Sequence, residues 1–282
     1  MFRTNNPAFS RQQAFQPAQT WADLESQGRG VEAAATTGAK AAPGVMTIQG
    51  AINKTAILLT LCIATAAGAW MYLVQDDGSI SSMAFPVMFG SMILGFVLAM
   101  VCCFAPKTAM VTAPAYAIVE GVFIGGISAL YASLFAGENE MLNTGLIFNA
   151  ALLTFGILGG LLAGYTTRLI RPGPVFRKAV VAATLGLCLY GLLAIGLSLF
   201  GSSTLASVYD PTNGGLVAIG FSLFVVVIAS ANLVLDFEFI ESGARNGAPR
   251  HLEWFAGFGL LVTLVWLYIA ILRLLGQLMS RD

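Results

Sequence analysis

Residues 79–106 read SISSMAFPVMFGSMILGFVLAMVCCFAP and contain no charged side chain. A helix needs about 20 consecutive apolar residues to cross the hydrocarbon core of a bilayer, so this stretch is long enough for one crossing. Of the chain's 282 residues, only 10% are charged and 57% are hydrophobic, whereas an ordinary soluble domain carries about 25% charged residues. Because a soluble fold so poor in charge would expose large apolar patches, the composition predicts an integral membrane protein.

Six further stretches share this property, and only Glu120 interrupts one of them. They are residues 55–75, 108–137, 141–167, 179–209, 211–235 and 254–272. Since short loops connect most of these stretches, the sequence predicts an all-α integral membrane protein with seven transmembrane helices in one bundle. The predicted spans, within a transmembrane domain of residues 51–280, are residues 55–75, 83–105, 110–135, 143–167, 179–200, 215–236 and 254–275.

The basic residues indicate how these helices are oriented. With the N-terminal tail inside, twelve of the fourteen lysines and arginines fall on the inner side: Arg3, Arg11, Arg29, Lys40, Lys54, Lys107, Arg168, Arg171, Arg177, Lys178, Arg245 and Arg250. The outer loops carry acidic residues instead: Asp76, Asp77, Glu138, Glu140 and Asp210. By the positive-inside rule, we expect a multi-pass membrane protein with a cytoplasmic N-terminus and a C-terminus outside.

The first 50 residues differ in composition from the rest of the chain. They are rich in Gln, Ala, Thr, Gly and Asn and contain no apolar run, which predicts a disordered cytoplasmic tail rather than a signal peptide. Two interpretations of residues 1–50 stay open. The tail is either an inert leader or the contact for a membrane protein partner.

Two carboxylic acids lie in the predicted spans, where ionisable groups are costly. Glu120 falls near the middle of the third span and must be protonated, paired or hydrated at that depth. It therefore either lines an ion pathway or is a neutral acid hydrogen-bonded to a neighbouring helix. Asp236 ends the sixth span, where it is either part of a gate or an ordinary helix-end carboxylate at the cytoplasmic interface.

Three uncharged polar residues lie in the spans, and we interpret each of them first as structural. Asn149 and Asn232 are of the type that bridges transmembrane helices, and Thr263 can bond the backbone of its own helix. All three remain candidates for lining a pathway. Small residues at four-residue spacing, in Gly121–Gly125 and Gly160–Gly164, predict close helix packing.

Enzyme signatures are absent from the sequence. There is no HExxH pair, phosphate loop or GxSxG elbow, and His251 is the only histidine. We therefore predict no enzyme and no cofactor. The zero formal net charge gives no basic field to indicate nucleic acid, so the predicted surroundings are the lipid bilayer.

Four stretches of the sequence together resemble the transmembrane Bax inhibitor motif family, and its bacterial Bax-inhibitor-like branch in particular. They are PAYAIVEGVFIG at 114–125, LDFEFI at 235–240, APRHLEW at 248–254 and ILRLL at 271–275. The resemblance covers roughly residues 45–278. It implies a seven-helix fold with the last helix packed centrally among the other six.

The resemblance also implies a proton-sensitive leak of calcium across the membrane. Relatives with that activity carry one aspartate on the sixth helix and one on the seventh, which share a proton. Asp236 matches the first, but Thr263 stands at the position of the second and cannot supply a charge. Calcium prefers several oxygen ligands at once, so no firm metal site follows, only transient coordination at Asp236 or Glu120.

Two functions are consistent with these residues. The first is a cation leak channel or transport pathway, with calcium as the expected ion, pH modulation, Glu120 lining the path and Asp236 gating it. The second is a non-conducting membrane regulator that binds a membrane-anchored protease or another membrane partner through residues 1–50.

The orientation can be tested with reporter tags. Because basic residues are retained on the cytoplasmic side, tags should report the outside when they are fused after residues 77, 138 and 210. They should report the cytoplasm when they are fused after residues 107, 173 and 246. A cytoplasmic C-terminus would contradict seven crossings.

The tail can be tested by deletion. Because residues 2–44 have no apolar periodicity, their removal should leave a membrane-inserted bundle that elutes as a single species in detergent. Aggregation of the shortened protein, under conditions in which the full chain stays monodisperse, would show that the bundle requires these residues.

Overall fold

The computed structural model describes residues 44–75, 77–137, 142–170, 172–201 and 205–281. The prediction of disorder for residues 1–43 therefore lies outside the described residues. Val45–Asp282 form one compact unit, so the last residues assigned to the tail from sequence belong to the folded bundle.

Seven long helices make up the described part of the chain: α1 Ile48–Leu73, α2 Ala84–Phe104, α3 Ala109–Leu134, α4 Thr144–Thr166, α5 Pro174–Leu199, α6 Leu216–Arg245 and α7 Leu252–Met279. Short 3-10 helices, Pro106–Thr108 and Ala206–Tyr209, precede α3 and α6. All seven long helices are sufficiently long and apolar to cross a membrane. The described residues contain no β-strand, only two isolated β-bridges. The predicted all-α membrane fold is confirmed.

Helices α1 and α6 are among those that extend beyond the charge-free runs that predicted them. α1 begins at Ile48 because Thr47 caps it, with the Thr47 hydroxyl accepting a hydrogen bond from the Gly50 amide at 2.9 Å. α6 continues past Asp236 to Arg245, and Glu241 pairs with Arg245 near its end. Charges mark where a helix leaves the hydrocarbon, but they do not end the helix.

The ends of the helices that carry most basic residues lie on one side of the bundle. Arg177 at the start of α5 pairs with Glu238 of α6, and Tyr165 at the end of α4 donates a hydrogen bond to Glu241. We call this side the basic face, defined by Lys54, Lys107, Arg168, Arg177, Lys178, Arg245 and Arg250.

Helix α7 is the centre of the bundle, as predicted. It packs against α1, α3, α4 and α6. In an apolar 18-residue stretch of α7, 72% is buried inside the bundle. In the corresponding stretch of α5, only 11% is buried. The exposed side chains of the outer helices face the lipid.

Close packing of α1 on α3 depends on two glycines of α3. A Cβ atom at Gly121 would overlap the Cys62 carbonyl oxygen, and one at Gly125 would overlap the Ala66 carbonyl oxygen. The predicted role of the Gly121–Gly125 pair is therefore confirmed. Gly160 faces open space, and Gly164 packs only on Ile170 in the following loop, so the second pair does not join two helices.

Hydrogen bonds join the start of α1 to the start of α7 at the basic face. Met46 N donates to Ala248 O at 2.7 Å, and both Thr47 N and Thr47 Oγ1 donate to Glu253 Oε1 at 3.0 Å. Glu253 is only 3% exposed. One carboxylate therefore satisfies a backbone donor and a side-chain donor of another helix.

Replacing Glu253 should destabilise the bundle. Glu253→Ala leaves the Thr47 amide without a buried acceptor, which costs about 1–3 kcal/mol. The Tm of the detergent-solubilised protein should fall clearly below that of Arg250→Ala, a control at an exposed partner 4.0 Å from Glu253. Equal Tm values for the two variants would show that the hydrogen bonds between Glu253 and Thr47 do not stabilise the bundle.

Candidate functional site

Asp236 lies on α6 with its carboxyl group turned towards α7. The residue stands nine positions before the end of α6 at Arg245, or roughly 14 Å along the helix axis at 1.5 Å per residue. It is therefore deeper than a residue at the helix end. Its Oδ2 is buried and has no hydrogen-bond partner, the one such side-chain nitrogen or oxygen among the described residues.

Thr263 of α7 faces this carboxyl group and interacts with it. The Thr263 hydroxyl donates its hydrogen to Gly259 O at 3.1 Å, and a hydroxyl has only one hydrogen to donate. A Cβ atom at Gly259 would lie 4.0 Å from Asp236 Oδ1. The structure thus brings together Asp236 and Thr263, the two positions that the family resemblance matched, while Asp236 Oδ2 itself has no hydrogen-bond partner.

Glu120 lies in a different part of the bundle, at the contact of α3 with α1 and α2. Its carboxyl group interacts with the Tyr116 hydroxyl, one turn earlier on α3, and lies near Cys62 of α1. A Cβ atom at Gly95 of α2 would stand 3.1 Å from Glu120 Oε2. Among the described residues, no ion pair involves Glu120 or Asp236.

Helix α7 separates the two carboxyl groups. Gly259 and Thr263 lie on the face of α7 that meets Asp236, because residues four apart share a face. Phe258, Leu261 and Val265 lie on the opposite face, where they pack with Leu58, Cys62, Tyr116 and Ala117. The structure therefore does not bring Glu120 and Asp236 together, and the two cannot share a proton.

The two asparagines have different surroundings. Asn232 Nδ2 donates to Thr184 Oγ1 of α5 at 2.9 Å and to Ile228 O of its own helix at 2.9 Å, so it bridges α5 and α6. Asn149 is exposed on α4, beside Leu275 and Met279 of α7. No hydrogen bond of Asn149 occurs among the described residues.

Arg273, near the end of the predicted seventh span, is a buried polar residue for which the sequence predicted no role. It is 8% exposed; its Nε donates to Ser222 Oγ at 3.2 Å, and its guanidinium lies 4.8 Å from the centre of the Tyr209 ring. Gln277, one turn later, accepts from Ser222 at 2.6 Å. The sequence feature that could have indicated this cluster is the four-residue spacing of Arg273 and Gln277, because it places both side chains on one face of a continuing helix.

No dedicated metal centre is found among the described residues. In the ranges 44–75, 77–137, 142–170, 172–201 and 205–281, no three His, Cys, Asp or Glu side chains form a group that could hold a metal ion. Ca²⁺ prefers six to eight oxygen ligands, more than the side chains of Asp236 and Thr263 offer together.

Comparison with known proteins places the chain in a family. No curated protein and no solved structure matches it. A family model described as Bax inhibitor 1 like matches residues 6–280, so the match includes most of the N-terminal segment as well as all seven helices. This extends further than the predicted resemblance over residues 45–278. Since the match covers nearly the whole chain, the protein belongs to the Bax inhibitor 1 like family.

Proposed function

We propose that the protein is a membrane pathway through which cations, calcium foremost, leak down their gradient, and that Asp236 is its gate. The observation that carries this proposal is the buried Asp236 Oδ2, which lacks a hydrogen-bond partner at the contact of α6 with the central helix α7. A buried polar atom without a partner is costly. Such atoms are rare in native proteins, and a functional role is one of the explanations for them.

The gate works through the charge of Asp236. When protonated, the carboxyl group is neutral and the α6–α7 contact stays closed around it. When ionised, it is an unpaired charge in an apolar surrounding, which costs far more. The bundle relieves that cost by admitting water or a cation between α6 and α7. Ionisation therefore opens the pathway, and leak rises with pH.

Thr263 makes this gate simpler than a pair of aspartates. Two close carboxyl groups share a proton and titrate as a coupled pair, whereas Asp236 faces only a hydroxyl. The pH dependence should therefore follow the titration of one group. Since α7 separates Glu120 from Asp236, Asp236 alone forms the gate, and Glu120, beside Tyr116, takes no part in it.

The alternative is a non-conducting regulator that binds a membrane-anchored protease or another membrane partner. Two observations favour it. A cavity between the described helices is lined mainly by apolar side chains and touches neither Asp236 nor Glu120. The family match also begins at residue 6, so it includes the segment that would serve as the contact.

The position of the basic residues supports an orientation for either function. Lys54, Lys107, Arg177 and Arg250 lie towards one face of the bundle, and basic residues are retained on the cytoplasmic side. We place this basic face and the N-terminus in the cytoplasm, with the C-terminus outside a cell inner membrane.

Substitutions at the α6–α7 contact test the gate. Asp236→Asn mimics the protonated acid in shape and charge, so calcium entry into dye-loaded liposomes should be low and independent of pH. Thr263→Asp places a second carboxyl group opposite Asp236. Because coupling between two acids within about 4–6 Å moves their titrations apart by about a unit or more, leak should depend more steeply on pH.

Glu120→Gln is the matched control, since it also replaces a half-buried acid by its amide. Its leak should keep the pH profile of the wild type. If wild type, Asp236→Asn and Thr263→Asp all give the same curve, Asp236 is no gate. The regulator would then be the better account, and pull-down of a membrane partner that depends on residues 1–44 would become the relevant measurement.

A further inference from the structure

The described helices form an apolar crevice in the side of the bundle. Its volume is about 500 Å³. The central helix forms its floor with Leu261, Leu264 and Val265, of which none is more than 6% exposed. Its walls are α1 and α4, and α3 contributes Ile124, Gly125 and Ser128.

The mouth of the crevice opens between α1 and α4. The outermost lining residues there are far more exposed than the floor: Ile63 54% and Met71 80% on α1, Phe148 75% and Phe155 46% on α4. These side chains belong to helices that cross the membrane, so what lies outside the mouth is the hydrocarbon of the bilayer. The crevice therefore opens sideways into lipid.

The crevice has the length of one leaflet. Along α1 it reaches from Leu59 to Met71, close to the end of that helix at Leu73; twelve steps of 1.5 Å span roughly 18 Å. Along α4 it reaches from the first residue, Thr144, to Phe155. Half of a hydrocarbon core about 30 Å thick is about 15 Å. The crevice thus runs from the bilayer midplane to the surface opposite the basic face.

The chemistry of the lining favours an apolar occupant. No acidic or basic side chain lines the crevice within the described residues. The Ser128 and Tyr268 hydroxyls bond each other at 2.8 Å, and Thr154 donates to Ala150 O at 2.7 Å. With these hydroxyl groups bonded within the protein, the remaining surface offers mainly dispersion contacts, which are lost wherever the crevice is left empty.

We infer that this crevice binds one acyl chain of a phospholipid from the leaflet opposite the basic face. A group the size of a water molecule occupies about 30 Å³ in a condensed phase, so the crevice holds on the order of fifteen methylene-sized groups, close to one fatty acyl chain. The chain lies against the floor residues of α7. Trp70, near the end of α1, stands where an aromatic side chain meets the membrane interface.

Native mass spectrometry of the full-length protein tests this assignment. The protein is equilibrated in mild detergent with a phosphatidylglycerol carrying brominated acyl chains, then stripped of loosely held lipid. The wild type should retain one lipid per protein. Ala67→Phe on one wall and Ala151→Phe on the other fill the crevice, so each should lower retention about tenfold, equivalent to about 1.4 kcal/mol.

Ala64→Phe is the matched control, because Ala64 is an exposed alanine of the same helix that does not line the crevice. It should retain lipid as the wild type does. Equal retention in all three variants would overturn the assignment. So would a wild type that holds no lipid, including one that forms a lipid-free dimer in which a second copy covers the mouth.

Fluorescence quenching gives a measurement that adds no bulk to the crevice. The fluorescence of Trp70 is the difference in emission between the wild type and Trp70→Phe. It is measured in vesicles that contain increasing amounts of the brominated lipid. A bound chain should quench it at low mole fraction and then saturate. Quenching that rises in proportion to the brominated lipid throughout would show ordinary bilayer contact and overturn the inference.

Discussion

The burial of α7 among the other helices is the constraint on which the rest of the structure depends. In hydrocarbon, backbone groups must be satisfied within the chain, so each crossing is a helix. A helix surrounded by others then has to divide its side chains among several partners. One face of α7 meets Asp236, and the opposite face both packs with Tyr116 and Leu58 and contributes to the floor of the crevice.

The polar groups buried in the bundle separate into two kinds. Glu253, Asn232 and Arg273 each have hydrogen-bond partners on another helix, so their cost is offset and they join elements of the fold. Asp236 Oδ2 has none. This contrast, rather than burial alone, distinguishes the residue proposed to act from those that hold the bundle together.

Much of the fold was predictable because the bilayer imposes a simple rule on sequence. Charge-free runs located all seven helices, and the family resemblance identified the last one as central. Helix ends were less predictable: α1 begins at a Thr47 cap and α6 continues through Glu238 and Glu241, since charged residues are tolerated in a helix once it leaves the hydrocarbon.

The candidate site was predictable only in part. Asp236 and Thr263 could be placed opposite each other through the resemblance, but the bond from Thr263 to Gly259 depends on side-chain geometry. The separation of Glu120 from Asp236 depends on which faces of α7 meet α3 and α6, and spacing along one helix does not reveal its neighbours. Glu253 was missed because its partner, Thr47, lies far away in the sequence and outside the predicted spans.

The central claim is that ionisation of Asp236 separates α6 from the centre of the bundle. Nitroxide labels are attached at two exposed positions, Ser242 of α6 and Asn53 of α1, in a variant without native cysteines. Because α1 packs on α7, the distance between the labels, measured by pulsed electron–electron resonance, reports how far α6 lies from the centre of the bundle. The account predicts that the distance increases from mildly acidic to mildly basic pH in the parent protein and stays constant in Asp236→Asn. The same distance at every pH in both proteins would contradict it.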